Sequence, residues 1–247
     1  MGFLEAVRLL TTIPIPRMKV PSEEEMARSL SYFPLVGTML GSILVLVNNL
    51  LRPIWSTPMV NAILVVALIV LTGGMHLDGL ADTSDGLFGG RSRGQKLAIM
   101  KDSHIGAFGT LAVLCTLLLK LSFLNELPDV LRGQSLILMP TLGRWAMVNA
   151  IFRYPSAREE GMGRTFREHC GVKELAIATM IATAFSFLLL GFWGLVLLVG
   201  VWLAATLINR ALTRALGGLT GDTYGALCET SEVLVLGMIA LLALVQK

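Results

Sequence analysis

Three aspartates fall close together in Gly73-Gly-Met-His-Leu-Asp-Gly-Leu-Ala-Asp-Thr-Ser-Asp-Gly-Leu-Phe-Gly-Gly90. Asp78, Asp82 and Asp85 are spaced i, i+4 and i+7. On a helix of about 3.6 residues per turn, that spacing sets all three on one face. Carboxylates so placed repel one another unless a cation neutralises them. A solvated helix face is the plain alternative. With only 17 acidic residues in the chain, three on one stripe beside an apolar run point instead to a divalent-cation site.

The segment Arg91-Ser-Arg93-Gly-Gln-Lys96 follows directly. A carboxylate–metal cluster beside basic residues suits a diphosphate substrate. The cation bridges phosphate oxygens, and Arg or Lys neutralises the remaining charge. Alone, such a run is a topology signal; beside the aspartates, Arg91 and Arg93 become candidate phosphate contacts. In Lys101-Asp-Ser-His104, Asp102 either caps the next helix or supplies a fourth carboxylate. His76 and His104 bracket the region but have no Cys or His partner at zinc spacing. The donors are oxygens, which favours Mg²⁺, with Mn²⁺ second. Either histidine is a candidate general base toward a substrate hydroxyl, against the commoner structural role.

Two glycine-rich stretches stand apart in sequence. Tyr154-Pro-Ser-Ala-Arg-Glu-Glu-Gly-Met-Gly163 carries Arg158, with Arg164 next. Gly217-Gly-Leu-Thr-Gly-Asp-Thr-Tyr-Gly225 carries Gly221 and Asp222, with Glu229 and Glu232 following one turn apart. Close-set glycines let backbone approach a ligand. The two stretches read as walls of one cleft on the side of the aspartates, with Asp222 placed to join the metal site.

What must position these residues is a membrane bundle. Apolar residues make up 54% of the 247, charged residues 15%, and the mean hydropathy is +0.72. A soluble domain carries about 25% charged residues. Apolar runs cover 33–51, 59–74, 104–127, 134–152, 174–190, 194–208 and 232–246, with a tight reversal expected at Gly191 to Gly194. A hydrocarbon core of about 30 Å asks for roughly 20 residues, so seven spans are expected, some of them short. The expectation is an all-α polytopic bundle of about seven transmembrane helices, forming one integral-membrane catalytic domain over 1–247, with the acidic catalytic segment at 76–103.

Charge placement orients it. A cytoplasmic N-terminus puts Arg8, Arg17, Lys19, Arg28, Arg91, Arg93, Lys96, Lys101, Arg153, Arg158, Arg164, Arg167, Lys173, Arg210 and Arg214 on the inner side. Only Arg52, Arg132 and Lys247 fall outside. Every acidic motif, Glu229 and Glu232 included, is then expected at the cytoplasmic face, with no acid mid-span. Lys120 and Arg144 fall inside spans. Arg144 reads either as functional or as half of a structural ion pair.

Residues 1–32 form an N-terminal interfacial or cytoplasmic segment. Its first part is amphipathic and stopped by Pro14 and Pro16; its second opens a helix at Ser22 with Glu23, Glu24 and Glu25 in the first turn. No removable signal peptide is expected. Cys115, Cys170 and Cys228 have no paired spacing, so no disulfide framework is expected, and Cys115 is expected to pack within a span. Aromatics are too few and basic runs too short for a nucleic-acid surface.

The acidic block through Leu87, with Met100-Lys-Asp-Ser-His-Ile-Gly106, resembles the signature of the cobalamin synthase family (adenosylcobinamide-GDP ribazoletransferases). Arg158-Glu-Glu-Gly-Met-Gly163, Gly217 to Ala226, Thr12-Ile-Pro-Ile-Pro16 and Phe33-Pro-Leu-Val-Gly37 extend the resemblance over nearly the whole chain. It implies a Mg²⁺-dependent enzyme of the bacterial cytoplasmic (inner) membrane, its active site facing the cytoplasm. Such an enzyme joins α-ribazole, or its 5′-phosphate, to adenosylcobinamide-GDP and releases GMP. The resemblance assigns Asp78, Asp82, Asp85 and Asp102 to the metal, and Arg91, Arg93, Arg158, Arg164, Gly221 and Asp222 to substrate. Loss of product is expected from Asp82→Asn and from Asp85→Asn. Partners beyond substrates and bilayer are a second copy or other cobalamin-assembly enzymes.

Two other readings compete. CDP-alcohol phosphotransferases also place spaced aspartates on a span, but pair Asp-Gly with Ala-Arg, where Asp78-Gly79 here is followed by Ala81-Asp82. A cation- or proton-coupled transporter would place carboxylates mid-span.

Overall fold

A computed structural model describes residues 2–16 and 21–245. Arg17, Lys19 and Lys247, counted in the charge balance above, lie outside the described residues, as does the end of the last expected span. The described chain is helical, with one isolated bridge between Ser156 and Leu219.

Helix α1 (Gly2–Leu10) lays Ala6, Val7 and Leu10 into the main core, so the amphipathic opening packs against the bundle. Helix α2 (Glu23–Ser29) starts as expected: Ser22 accepts from the Glu25 amide while Glu25 reaches back to the Ser22 amide. A short 3₁₀ turn, Leu30–Tyr32, leads into α3 (Phe33–Leu51). The continuous 23–51 rod is one of six helical segments long and apolar enough to cross a membrane.

The others are α7 (Ala107–Glu126), α8 (Asp129–Arg153), α10 (Val172–Leu190), α11 (Phe192–Leu216) and α12 (Gly221–Val245). Where a seventh span is expected, two helices meet at a sharp bend, the geometry of a broken span or of a re-entrant loop. Helix α4 (Thr57–Thr72) meets α5 (Met75–Gly89) at 89°. The joint is Gly73 and Gly74 at φ 63° and 70°, a left-handed pair open to glycine without strain. Two short helices, α6 (Arg93–Ile99) and α9 (Met162–His169), lie in the connections. Gly191, at φ 56°, makes the tight reversal between α10 and α11.

Helix α8 runs through the middle of the bundle, buried nearly all round, whereas α7, α10 and α11 expose broad apolar faces. Cys115 is on such a face of α7 and is exposed, not packed as expected.

Side-chain contacts sort the loops to two ends. At one, Arg52 pairs with Asp129 at 2.6 Å, joining the α3–α4 turn to the start of α8. Just inside it, buried Arg132 donates to Asn48 (2.8 Å), to the Leu124 carbonyl (3.2 Å) and to Asn61. At the other end, Arg158 reaches both Met100 and Asp222, and Ala157 bonds to Leu219. This grouping of loops is the one the seven-span topology requires.

Helix α12 begins earlier than hydropathy suggested. It runs from Gly221, so Glu229 and Glu232 are inside a crossing helix and not at the membrane face. The sequence expectation that no acid lies mid-span is therefore corrected.

Candidate functional site

Helix α5 carries Asp78, Asp82 and Asp85 as the spacing foretold, and it is held tightly against α12. A Cβ on Gly79 would lie 2.6 Å from the Asp222 carbonyl oxygen. On Gly225 it would lie 3.1 Å from the His76 carbonyl. Only glycine permits this approach, which sets Asp222 beside the turn carrying Asp78 and Asp82. Asp82 lies within electrostatic reach of Asp78, Asp222 and Asp85, and of one cation, Arg158. Asp78 is exposed and Asp82 half-buried.

Arg158 balances part of that charge. It donates to Asp222 Oδ2 at 2.8 Å and more weakly to the Met100 carbonyl at 3.4 Å. Thr220 also donates to the same Asp222 oxygen at 3.3 Å. The two glycine-rich stretches form a common wall. Leu219 N–H donates to the Pro155 carbonyl and Ala157 N–H to the Leu219 carbonyl, both at 2.8 Å. Arg93 folds over Gly217 and donates to the Ala157 carbonyl at 3.3 Å, tying α6 to this wall. Gly221 opens α12 at the wall's exposed edge.

The four carboxylates expected to share an ion are not gathered as one set. Asp85 is buried, and its two oxygens accept from the N–H groups of Gly106 (2.7 Å) and Gly109 (2.8 Å). It thereby satisfies donors at the start of α7 that would otherwise lack partners. Asp102 turns to His104, accepting from its backbone N–H at 3.1 Å and meeting ring Nδ1 at 2.7 Å. Those two contacts hold its carboxyl below the usual carboxylate range. Among the described residues, no three or more His, Cys, Asp or Glu stand ready as a metal cage.

An oxygen-loving ion still suits what is present. Mg²⁺ is usually held by one or two carboxylates with substrate phosphates and water, not by an all-protein cage. Asp78 and Asp82, with Asp222 nearby, are the carboxylates whose chemistry would suit such an ion.

The remaining expected residues divide. Arg91 is exposed, and Arg164 is exposed and held by Glu168 at 2.6 Å. His104 is exposed, whereas His76 points inward, its Nδ1 3.4 Å from Arg144 and its Nε2 without a partner. His76 therefore sits in the bundle interior, away from the exposed aspartate face.

What the sequence reading missed is the partner set of the two intramembrane cations. Lys120 donates to Glu229 at 2.7 Å and to Glu232 at 2.5 Å, and Arg144 pairs with Glu232. All four are buried, and the two positive and two negative charges balance. Charge balance was the available signal. Two cations inside spans demand carboxylates, and Glu229 and Glu232 are the acids at helical spacing nearest an apolar run.

Comparison with known proteins gives the family of the chain. No solved structure matches the chain. A protein of Roseiflexus sp. (strain RS-1) called adenosylcobinamide-GDP ribazoletransferase is 46% identical over 239 residues, covering 97% of this chain and 89% of that one. One of the same name from Desulforamulus reducens is 44% identical over 236 residues (96% and 94%), and one from Herpetosiphon aurantiacus 43% over 238 (96% and 95%). With residues 2–240 matching the cobalamin-5-phosphate synthase family, the chain belongs to that family.

Proposed function

We propose that this membrane protein is the transferase that joins α-ribazole, or α-ribazole 5′-phosphate, to adenosylcobinamide-GDP with release of GMP. The observation that carries the reading is the packing of Gly79 on the Asp222 backbone, which brings Asp222, held by Arg158, close to Asp78 and Asp82. The walls around them are built from the same stretches that carry the family resemblance. We further propose that the cleft faces the cytoplasm and the chain lies in the bacterial inner membrane, which accords with the cations gathered at that end.

Asp78 and Asp82, with Asp222 opposite, would hold Mg²⁺. Bound there, the ion supplies positive charge against the diphosphate oxygens. Arg158, already fixed by Asp222, offers its remaining donors to a phosphate. Arg93, braced on Ala157, and the freer Arg91 neutralise charge from the α6 side. In the reaction, a ribose hydroxyl oxygen forms a bond to the phosphorus attached to cobinamide, and the bond from that phosphorus to the GMP oxygen breaks. His104 takes the hydroxyl proton, its ring oriented by Asp102. Asp85 acts indirectly, by fixing the start of α7 and the loop that carries Asp102 and His104. No covalent enzyme intermediate is required, so catalysis rests on positioning and charge stabilisation.

The competing readings fit less well. The buried Lys120, Arg144, Glu229 and Glu232 close on one another in pairs, which leaves no mid-membrane carboxylate open to a passing ion. The test is turnover of the detergent-purified protein with adenosylcobinamide-GDP and α-ribazole 5′-phosphate, following GMP and the joined corrinoid. Stoichiometric GMP with Mg²⁺ and none after chelation is expected. Absence of both products under all metal conditions would overturn the assignment.

A further inference from the structure

On a different face of the bundle, α8, α10 and α11 leave a groove of about 450 Å³ between them. Val172, Leu175, Ala176, Leu198 and Val199 give it apolar sides, and Trp145 and Trp202 its aromatic ones. None of the cleft aspartates lines it. Its rim is open sideways: Val172 is 71% exposed and Val199 52%, on helices whose outer faces are broadly apolar. A groove with such a rim, in a chain built from membrane-crossing helices, opens to hydrocarbon.

One end is not apolar. Arg153, the last residue of α8, sits with its guanidinium carbon 5.7 Å from the centre of the Trp202 ring and forms no ion pair among the described residues. Asn149 lies one turn deeper, with its amide donating to the Trp145 carbonyl at 3.3 Å. A separate recess of about 10 Å³, room for about one water, shares Trp145, Asn149, Arg153 and Trp202 with the groove and is lined also by Asn209. Asn209 is 2% exposed, and its Oδ1 has no hydrogen-bond partner among the described residues.

We propose that this groove binds one phospholipid, its phosphate on Arg153 and one acyl chain along Leu175, Ala176 and Leu198. Three observations select a lipid over a soluble ligand. The long wall is apolar and open to hydrocarbon. The cation stands at the helix end, where membrane interfaces lie. Tryptophan beside arginine is the pairing found at headgroup depth. Charge complementarity favours an anionic headgroup, because the lining residues include the cation Arg153 and no carboxylate. This site is independent of the transfer reaction, and its test reads binding, not turnover.

The experiment is native mass spectrometry of the whole protein released from nanodiscs of mixed phosphatidylglycerol and phosphatidylcholine. Wild type should retain one phosphatidylglycerol. Arg153→Ala should lower its retention about tenfold, the loss of one charge-assisted contact. Ala176→Phe, which fills the groove and keeps Arg153, should lower it comparably while leaving the melting temperature near wild type. Equal retention in wild type and both variants would overturn the proposal. So would equal uptake of the two lipids, or displacement of the bound lipid by a nucleoside monophosphate, which would make the groove a soluble-ligand subsite.

Discussion

At the scale of single residues, Asp82 and Asp85 separate two kinds of carboxylate that the sequence presents alike. Both stand on the face fixed by the i, i+4, i+7 spacing, and that face is real. Their surroundings differ in a way spacing cannot express. Asp82 is half-buried beside other carboxylates, whereas both Asp85 oxygens are engaged by backbone amides from a segment more than twenty residues away. Asp82→Asn is therefore expected to cut turnover by at least about 100-fold, the scale of losing charge stabilisation at a transferred phosphoryl group, with no drop in melting temperature. Asp85→Asn keeps one acceptor and replaces the other with an amide that clashes with a donor. It should cost about 1–3 kcal/mol of stability, read as a lower melting temperature, with activity falling in parallel. If Asp82→Asn melts early and Asp85→Asn does not, the two roles are exchanged.

At the scale of elements, the register of α5 on α12 rests on Gly79, whose missing side chain admits the Asp222 backbone. Gly79→Ala would force these helices apart, at about 1–3 kcal/mol for overpacking. It would also move Asp222 away from Asp78 and Asp82, so turnover should fall beyond what the stability loss explains. Gly94→Ala, on α6 with open space around it, is the control and should behave as wild type in both assays. The α7–α8–α12 charge set makes a second prediction. Lys120→Met strands Glu229 and should cost about 3–5 kcal/mol, whereas Lys120→Met with Glu229→Gln should recover most of it, since Arg144 still pairs with Glu232. A double variant no better than the single one would refute the pairing. Element identity was legible from apolar runs, down to the Gly191 reversal. The start of α12 was not, because Asp222, Thr223, Glu229, Thr230 and Ser231 dilute its hydropathy, although Thr223, Glu229 and Ser231 are buried. The 89° break was legible only as two adjacent glycines, whose angle depends on what α5 packs against.

At the scale of the whole molecule, the two ends of the bundle differ in charge, and this supports an orientation a sealed vesicle can test. Among described residues, the end bearing the aspartate cleft gathers Arg91, Arg93, Lys96, Lys101, Arg153, Arg158, Arg164 and Arg167, while the other end holds Arg52 and Arg132. Arg132 is there for packing, enclosed by Asn48, Asn61 and the Leu124 carbonyl, which leaves the half-buried Arg52, itself paired with Asp129, as the other described cation of that end. Cationic loops are retained on the cytoplasmic side. A single cysteine serves as reporter in a Cys115→Ser background, the other two cysteines being buried. Gly94→Cys should react with a membrane-impermeant maleimide only after the inner membrane is opened, whereas Ser56→Cys, exposed between α3 and α4, should react in spheroplasts with the membrane intact. The opposite pattern would place the cleft outside, where the cytoplasmic nucleotide chemistry proposed for it could not be supplied. Labelling of both sites from one side would break the alternation of ends, since these positions are separated by α4 and α5. Crossing of the membrane by that bent pair is thus what the labelling decides, and with it whether the glycine joint at Gly73 and Gly74 marks a broken span or a re-entrant hairpin.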